Sequence, residues 1–234
     1  MAETSKTADH ALTVLLKLTE DGPMTPAELA RELGLNRTVV HRLLTTLRER
    51  GFVTRSGGGY VPGAIVVRMA ERVQPELRAA AAGVMARLGR DVGETIVLHI
   101  ADGDDAMVLE QYVGDQHVVR VEHMIGSRHS LTQGASGRAL LAFMSPATID
   151  RVLRRVPSPE GLRKQLEGVR QLGYALSHDE LQQGVHGLAV PVMHDGHAVA
   201  SLAILVPTTR ATGLAEHIDV LREASAQVAA KLYG

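Results

Sequence analysis

One stretch, MTPAELARELGLNRTVVHRLLTTLRERG (residues 24–51), restricts the fold more than any other. Thr25, Pro26 and Glu28 stand in capping-box order, with the proline at the first helical position, where its missing N–H costs nothing. The spacing predicts a helix over 26–33 with Leu29, Ala30 and Leu33 inward, stopped by Gly34. Asn36 is placed to cap a second helix running to about Arg50, where Gly51 ends it. Two capped amphipathic helices joined by the short turn Gly34-Leu35-Asn36-Arg37 have few ways to pack. A helix-turn-helix is the economical one.

The second helix is two-faced. At 100° per residue, Val39, Val40, Leu43, Leu44 and Leu47 fall within an arc of about 140°, which predicts the core side. Arg37, Thr38, His41, Arg42 and Thr45 are left outward. Residues 36–55 hold five arginines against Glu49, a net charge of +4, while residues 1–35 carry −3 and the whole chain −1. The positive charge is therefore local. An amphipathic helix with arginines outside is ordinarily just a solvated face. The surroundings argue for more: a predicted hairpin follows, with strands at 52–55 and 60–61 around Ser56-Gly57-Gly58-Gly59, and it carries Arg55. Guanidinia for phosphates, short polar groups near a helix N-terminus for base edges, and a hairpin alongside describe a winged helix-turn-helix on double-stranded DNA. Ahead of it, Ala8, Ala11, Leu12, Leu15, Leu16 and Leu18 predict a first helix at about 7–19.

We divide the chain into a DNA-binding domain at 1–63, a linker helix at 64–75 and a second domain at 76–234. The second domain reads as α+β with an antiparallel sheet. ETIVLHIADG, DAMVLEQYVG and HVVRVEHM look like strands, as do 188–193 and 198–206 around the hairpin turn Asp195-Gly196. Helices are expected at 136–144, 146–155, 159–172 and 213–232. The absence of cysteine excludes disulfides, thiol nucleophiles and cysteine-held zinc. The polar start and the lack of a long apolar run predict a cytoplasmic protein without a membrane span. With 3% aromatic residues, a stacking platform for single-stranded nucleic acid is a poor fit.

Residues 11–63, ALTVLLKLTEDGPMTPAELARELGLNRTVVHRLLTTLRERGFVTRSGGGYVPG, resemble the N-terminal domain of the IclR family of bacterial transcriptional regulators. RHSLTQGASGRALLAF and GYALSHDELQQGVHGLAVPVMHDGHAVASLAILVP resemble later family segments, in order and at family spacing. The resemblance implies a GAF/profilin-like effector domain with about six antiparallel strands, dimers through the N-terminal region and often dimers of dimers. It implies DNA contacts from Arg37, Thr38, His41, Arg42, Thr45 and Arg55. Carried over by alignment, the effector cleft involves Val118, Val121, His129, Ala135 and Ser136, together with Ser177, Gly187, Ala203 and Leu205.

Relatives that sense small carboxylates hold them with an acid, a cysteine or serine, and serines on the last strand. Here Ser177, Gly187, Ala203 and Leu205 stand at those places, and Thr132 replaces a common histidine. With most donors missing, a tiny oxoacid is a poor candidate, because an unpaired buried charge costs several kcal/mol. The expected effector has a larger apolar or aromatic body held at Ser136, Ser177 and His129.

Neither cofactor nor metal is expected. His194 and His197 flank a hairpin turn, which explains their spacing without metal, although His178 and His186 lie near in sequence. Gly134-Ala135-Ser136-Gly137 resembles the start of a nucleophile elbow, but Arg138 stands where the second glycine belongs, so no enzyme is expected. An effector-blind DNA-binding protein is the alternative, and a hydrolase using Ser136 a weaker one.

Overall fold

The computed structural model describes residues 5–234, which divide into two compact units, the first ending at Pro75 and the second spanning Glu76–Gly234. The first unit holds helices α1 (Lys6–Asp21), α2 (Pro26–Glu32) and α3 (Arg37–Glu49), a hairpin of β1 (Val53–Ser56) and β2 (Gly59–Pro62), and α4 (Ala64–Ala70). The capping box at α2 forms in both directions: Thr25 Oγ1 accepts from the Glu28 N–H at 3.3 Å, and Glu28 Oε2 accepts from the Thr25 N–H at 2.8 Å. Hydrogen bonds from the Thr25 backbone N–H and then its hydroxyl hold the Glu28 carboxyl below its ordinary pKa. Val14 and Leu18 of α1, Leu29 of α2, Val40 and Leu44 of α3, and Val53 of β1 close one core. Each such side chain contributes roughly 1.5–3 kcal/mol by leaving water. Val39, at the edge of the predicted arc, is 37% exposed, so the buried face is narrower than expected.

The hairpin is fastened to the α1–α2 connection. Met24 and Tyr60 exchange backbone hydrogen bonds, 3.2 Å from the Met24 N–H and 2.8 Å from the Tyr60 N–H. A Cβ on Gly59 would lie within 2.9–3.0 Å of the Met24 backbone, so glycine is what permits this approach. The linker helix ends at Ala70, short of the expected stretch to 75. The residue before a proline is driven out of the helical region, and Gln74 before Pro75 adopts φ 49°. Pro75 then serves as the first residue of α5 (Pro75–Val92).

The second unit is a six-stranded antiparallel sheet, order β5-β4-β3-β8-β7-β6. Its strands are β3 (Thr95–Asp102), β4 (Asp105–Tyr112), β5 (Arg128–Ser130), β6 (Ala175–His178), β7 (Val185–His194) and β8 (His197–Pro207). One face packs on α5 and on the last helix, α9 (Ile218–Tyr233), through Ile96, Leu98, Val190 and Leu202. The other face carries α6 (Gly134–Leu141), with α7 (Pro146–Leu153) and α8 (Pro159–Leu172) outside it. Small residues allow α6 to sit close: Gly187, Ala189 and Ala203 lie beneath it, and a Cβ on Gly187 would be 3.6 Å from that of Ala135. The β7–β8 turn has the expected form, with Asp195 and Gly196 both at positive φ, 47° and 78°.

Two expectations differ from the structure. HVVRVEHM (117–124) is irregular and forms no ladder with β4, which pairs with Arg128–Ser130 at Asp105–Met107. Side chains fasten this segment instead: the Thr95 hydroxyl donates to the Val121 carbonyl at 2.6 Å, and Gln111 bonds both backbone groups of His123. The last helix begins at Ile218, not 213, after a 3-10 segment over Thr208–His217.

Candidate functional site

The outward face of α3 is built by its cap. Asn36 Oδ1 accepts from the Thr38 N–H at 2.8 Å, which fixes where the first turn, and with it Arg37 and Thr38, projects. Arg37, Thr38, His41 and Arg42 are exposed; Thr45 is half-buried, its hydroxyl donating to the His41 carbonyl at 2.9 Å. Arg55 on β1 is exposed and steadied from behind by the buried Tyr60, with the guanidinium carbon 5.6 Å from the ring centroid. Among the described residues, none of Arg37, Arg42, Arg48, Arg50 and Arg55 forms an ion pair within the chain. Five solvated guanidinia without carboxylates can neutralise phosphates and release their counterions. Replacing Asn36 by alanine is expected to cost about 1 kcal/mol of the first unit's stability in urea unfolding, and aspartate should restore most of it.

The second unit holds a cavity on the sheet face beside the start of α6. His99 of β3, Ser177 of β6, Gly187 of β7 and Leu205 of β8 form the sheet wall. His129 of β5 and Ala135 and Ser136 of α6 form the side, and His123 enters from the 113–127 segment. Leu181, on the segment between β6 and β7, covers it. The cavity volume is about 30 Å³, room for little more than one water molecule. A ring-sized guest therefore needs the cover displaced outward.

That cover is tied down. Arg138 on α6, 7% exposed, makes a two-pronged ion pair with Glu180, at 2.6 and 2.7 Å, and also donates to the Leu176 carbonyl at 2.7 Å. Glu180 in turn accepts the Gly134 N–H at 2.9 Å, at the N-terminus of α6. Burial pushes the Glu180 carboxyl up, but Arg138 and that N–H outweigh it and hold the pKa below its ordinary value. The three cavity histidines are also held below their usual value, in their case by burial. Burial, reinforced by the neighbouring imidazoles, holds His99 well down, and burial likewise lowers His123 and His129.

Of the nine effector positions, the structure brings together His129, Ala135, Ser136, Ser177, Gly187 and Leu205. The other three do not line it. Val118 is 99% exposed in the irregular segment, Val121 packs with Val97, Val108 and the wall residue Leu205, and Ala203 lies under α6. Sequence reasoning missed His99, His123, Leu181 and Glu180, and saw in Arg138 only a departure from a motif. His178 and His186 bond each other through their Nδ1 atoms at 2.6 Å, and His194 stacks on Tyr233 at 3.5 Å. Among the described residues no cluster of three or more metal-ligating side chains forms, and no hydrogen bond joins Ser136 to a histidine.

Two family models match this chain: the IclR helix-turn-helix domain over residues 7–57 and the bacterial transcriptional regulator IclR C-terminal over 70–231. The HTH-type transcriptional regulator KipR of Bacillus subtilis is 28% identical over 218 residues, covering 87% of each chain. The probable transcriptional regulator SauR of Cupriavidus necator is 31% identical over 207 residues, covering 82% of each. The crystal structure of an IclR transcriptional regulator from Alicyclobacillus acidocaldarius superposes with a TM-score of 0.84 at 26% identity, over 98% of this chain and 100% of that one. An IclR homolog complexed with 4-hydroxybenzoate, from Microbacterium hydrocarbonoxydans, has the same fold, with a TM-score of 0.85 at 22% identity over 97% and 99%.

Proposed function

We propose that this chain, which belongs to the IclR family of bacterial transcriptional regulators, reads a double-stranded operator with α3 and releases or tightens it when a small molecule fills the cavity of the second unit. Membership of that family makes it a DNA-binding transcriptional regulator. Base edges are read by Arg37, Thr38, His41 and Arg42, with Thr45 at the margin of that face. The β1–β2 hairpin serves as a wing whose Arg55 holds a phosphate. The observation that carries the reading is the set of exposed arginines on α3 and the hairpin, none of them neutralised by a carboxylate among the described residues.

One recognition helix spans only a few base pairs, so specificity needs two half-sites and a dimer. Helix α4 supports this: it buries none of its residues, leaving Val67 and Met69 62% and 53% exposed, and Leu12 and Leu16 of α1 are 61% and 62% exposed. We assign these surfaces to the dimer contact, and further association of the GAF/profilin-like second units to a tetramer.

The ligand reading is a compound with an apolar or aromatic body. A cavity walled by Ala135, Gly187 and Leu205, with a few polar groups, supports it, as does the aromatic acid held by the Microbacterium neighbour. Ligand action requires different affinities for two arrangements of the protein, not tight binding alone. In vitro selection from a random DNA pool, repeated with ring compounds present, tests both halves. Failure to enrich any sequence sinks operator reading; enrichment that no compound alters favours an effector-blind protein.

Replacing Arg55 by alanine should weaken binding to selected and scrambled duplexes alike. The slope of log affinity against log salt should fall by about 1, as for one lost phosphate contact. A loss confined to the selected sequence would place Arg55 on a base.

A further inference from the structure

The cavity is lined by buried polar atoms that nothing in the protein satisfies. Neither ring nitrogen of His99 has a hydrogen-bond partner, nor does His129 Nε2; the Ser201 hydroxyl, beside His99 in the sheet, is likewise unpaired. His99 and Ser201 are 2% and 0% exposed, and they sit directly opposite each other in the β3–β8 pairing, so both project to the same face of the sheet. The rings of His99 and His129 meet edge to face with centroids 5.3 Å apart. Buried polar atoms are nearly always paired in native proteins, so several orphans around one cavity mark a place that a ligand completes.

The donor and acceptor pattern narrows the ligand. His129 Nδ1 faces the Ser130 carbonyl at 3.2 Å, which fixes the proton on Nδ1 and leaves Nε2 as a lone pair. A neutral His99 adds one N–H and one further lone pair, and the Ser136 and Ser177 hydroxyls can rotate to donate or accept. The titratable groups facing His99 are His123 from the 113–127 segment, His129 from β5 and Glu180 from the cover. Asp105 on β4 acts on His129. The one lining carboxylate, Glu180, already holds the buried guanidinium of Arg138, so no free cation faces the cavity. A carboxylate guest could accept from the His99 N–H and the serine hydroxyls, but its charge would have no cation beside it and would face the His129 Nε2 lone pair. A neutral hydroxyl brings no such charge. It can donate to a ring nitrogen and accept from the His99 N–H.

Resting on the reading above that this cavity takes an aromatic body, we infer that its guest is a neutral phenol-class compound, its hydroxyl seated between His99 and His129, and not an aryl carboxylate. His99 then acts as a specificity residue that senses a hydroxyl.

Calorimetric titration of the full chain at pH 7.5 with three probes of one shape decides the point: 4-methylphenol, 4-methylanisole and 4-methylbenzoate. The phenol should bind at least about tenfold more tightly than the anisole, which cannot donate, and the benzoate should be the weakest. His99→Leu should bring phenol and anisole within about threefold, while thermal unfolding shows no loss of stability, since the change removes two unsatisfied nitrogens. Should that variant fail to fold, His129→Phe must narrow the same ratio. Equal binding of phenol and anisole, or tighter binding of benzoate with proton uptake, overturns the hydroxyl inference and leaves the aromatic cavity standing. Absence of binding by all three overturns the aromatic reading itself.

Discussion

Replacing Arg138 by methionine is expected to destabilise the second unit by about 1.5 kcal/mol, seen as a fall in melting temperature of roughly 3–6 °C. The guanidinium is 7% exposed, and its removal leaves three groups in poor company: the Glu180 carboxylate, the Gly134 N–H that shares it, and the Leu176 carbonyl. Glu180 is exposed and can turn to water, so the penalty is mainly the lost hydrogen bonds of Arg138. Glu180→Gln in the Arg138→Met background should therefore cost little more, with a coupling of about 1 kcal/mol in a double-mutant cycle. Strictly additive losses would show that the two side chains act independently. Because this pair ties Leu181 over the cavity, the single variant should also admit ring compounds faster.

The same pair sets an acid limit. The folded Glu180 carboxyl is held below its ordinary pKa, so its stabilising effect is complete above the unfolded value of about 4.3 and disappears as pH falls through the lower folded value. Melting temperatures should change little from this source between pH 7 and 5 and fall below about pH 4. Glu180→Gln should flatten that acid limb while lowering the plateau; an unchanged limb would assign it to other carboxylates.

What the sequence made legible was local. Capping boxes, stop glycines and the Asp195-Gly196 turn are set by neighbours within four residues, and each appears where the residue types place it. The cavity is assembled from partners remote in sequence. Arg138 and Glu180 are 42 residues apart, and nothing near either marks the other. In TIVLHIAD, His99 reads as one more alternating position; only the pairing of β3 with β8 sets it opposite Ser201 under a cavity. HVVRVEHM has strong strand character, but the structure holds it by side chains, Thr95 to Val121 and Gln111 to His123, in place of a backbone ladder. Those remote contacts, which the segment's own residues do not announce, leave Val118 exposed and bring His123 to the cavity.

Arg42→Ala separates reading bases from attracting phosphates. Arg42 is exposed on α3, two positions past the buried Val40, with no ion-pair partner among the described residues. Its backbone carbonyl accepts from the Thr46 hydroxyl at 3.1 Å, a bond that alanine keeps. Folding stability should accordingly stay within about 0.5 kcal/mol of the parent, so any loss of binding belongs to the interface. If the guanidinium holds a guanine edge through two hydrogen bonds, each half-site loses about 1–3 kcal/mol, tenfold to hundredfold in affinity, on the selected operator. A scrambled duplex of equal length and at equal salt should lose much less, because only diffuse attraction to phosphate is removed. Preference among bases at one operator position should also relax, which competition with single-substituted duplexes measures. An equal loss on both duplexes, with no position relaxed, would assign Arg42 to the backbone. Arg37, on the first turn fixed by Asn36, would then be the remaining arginine of the face able to select a base.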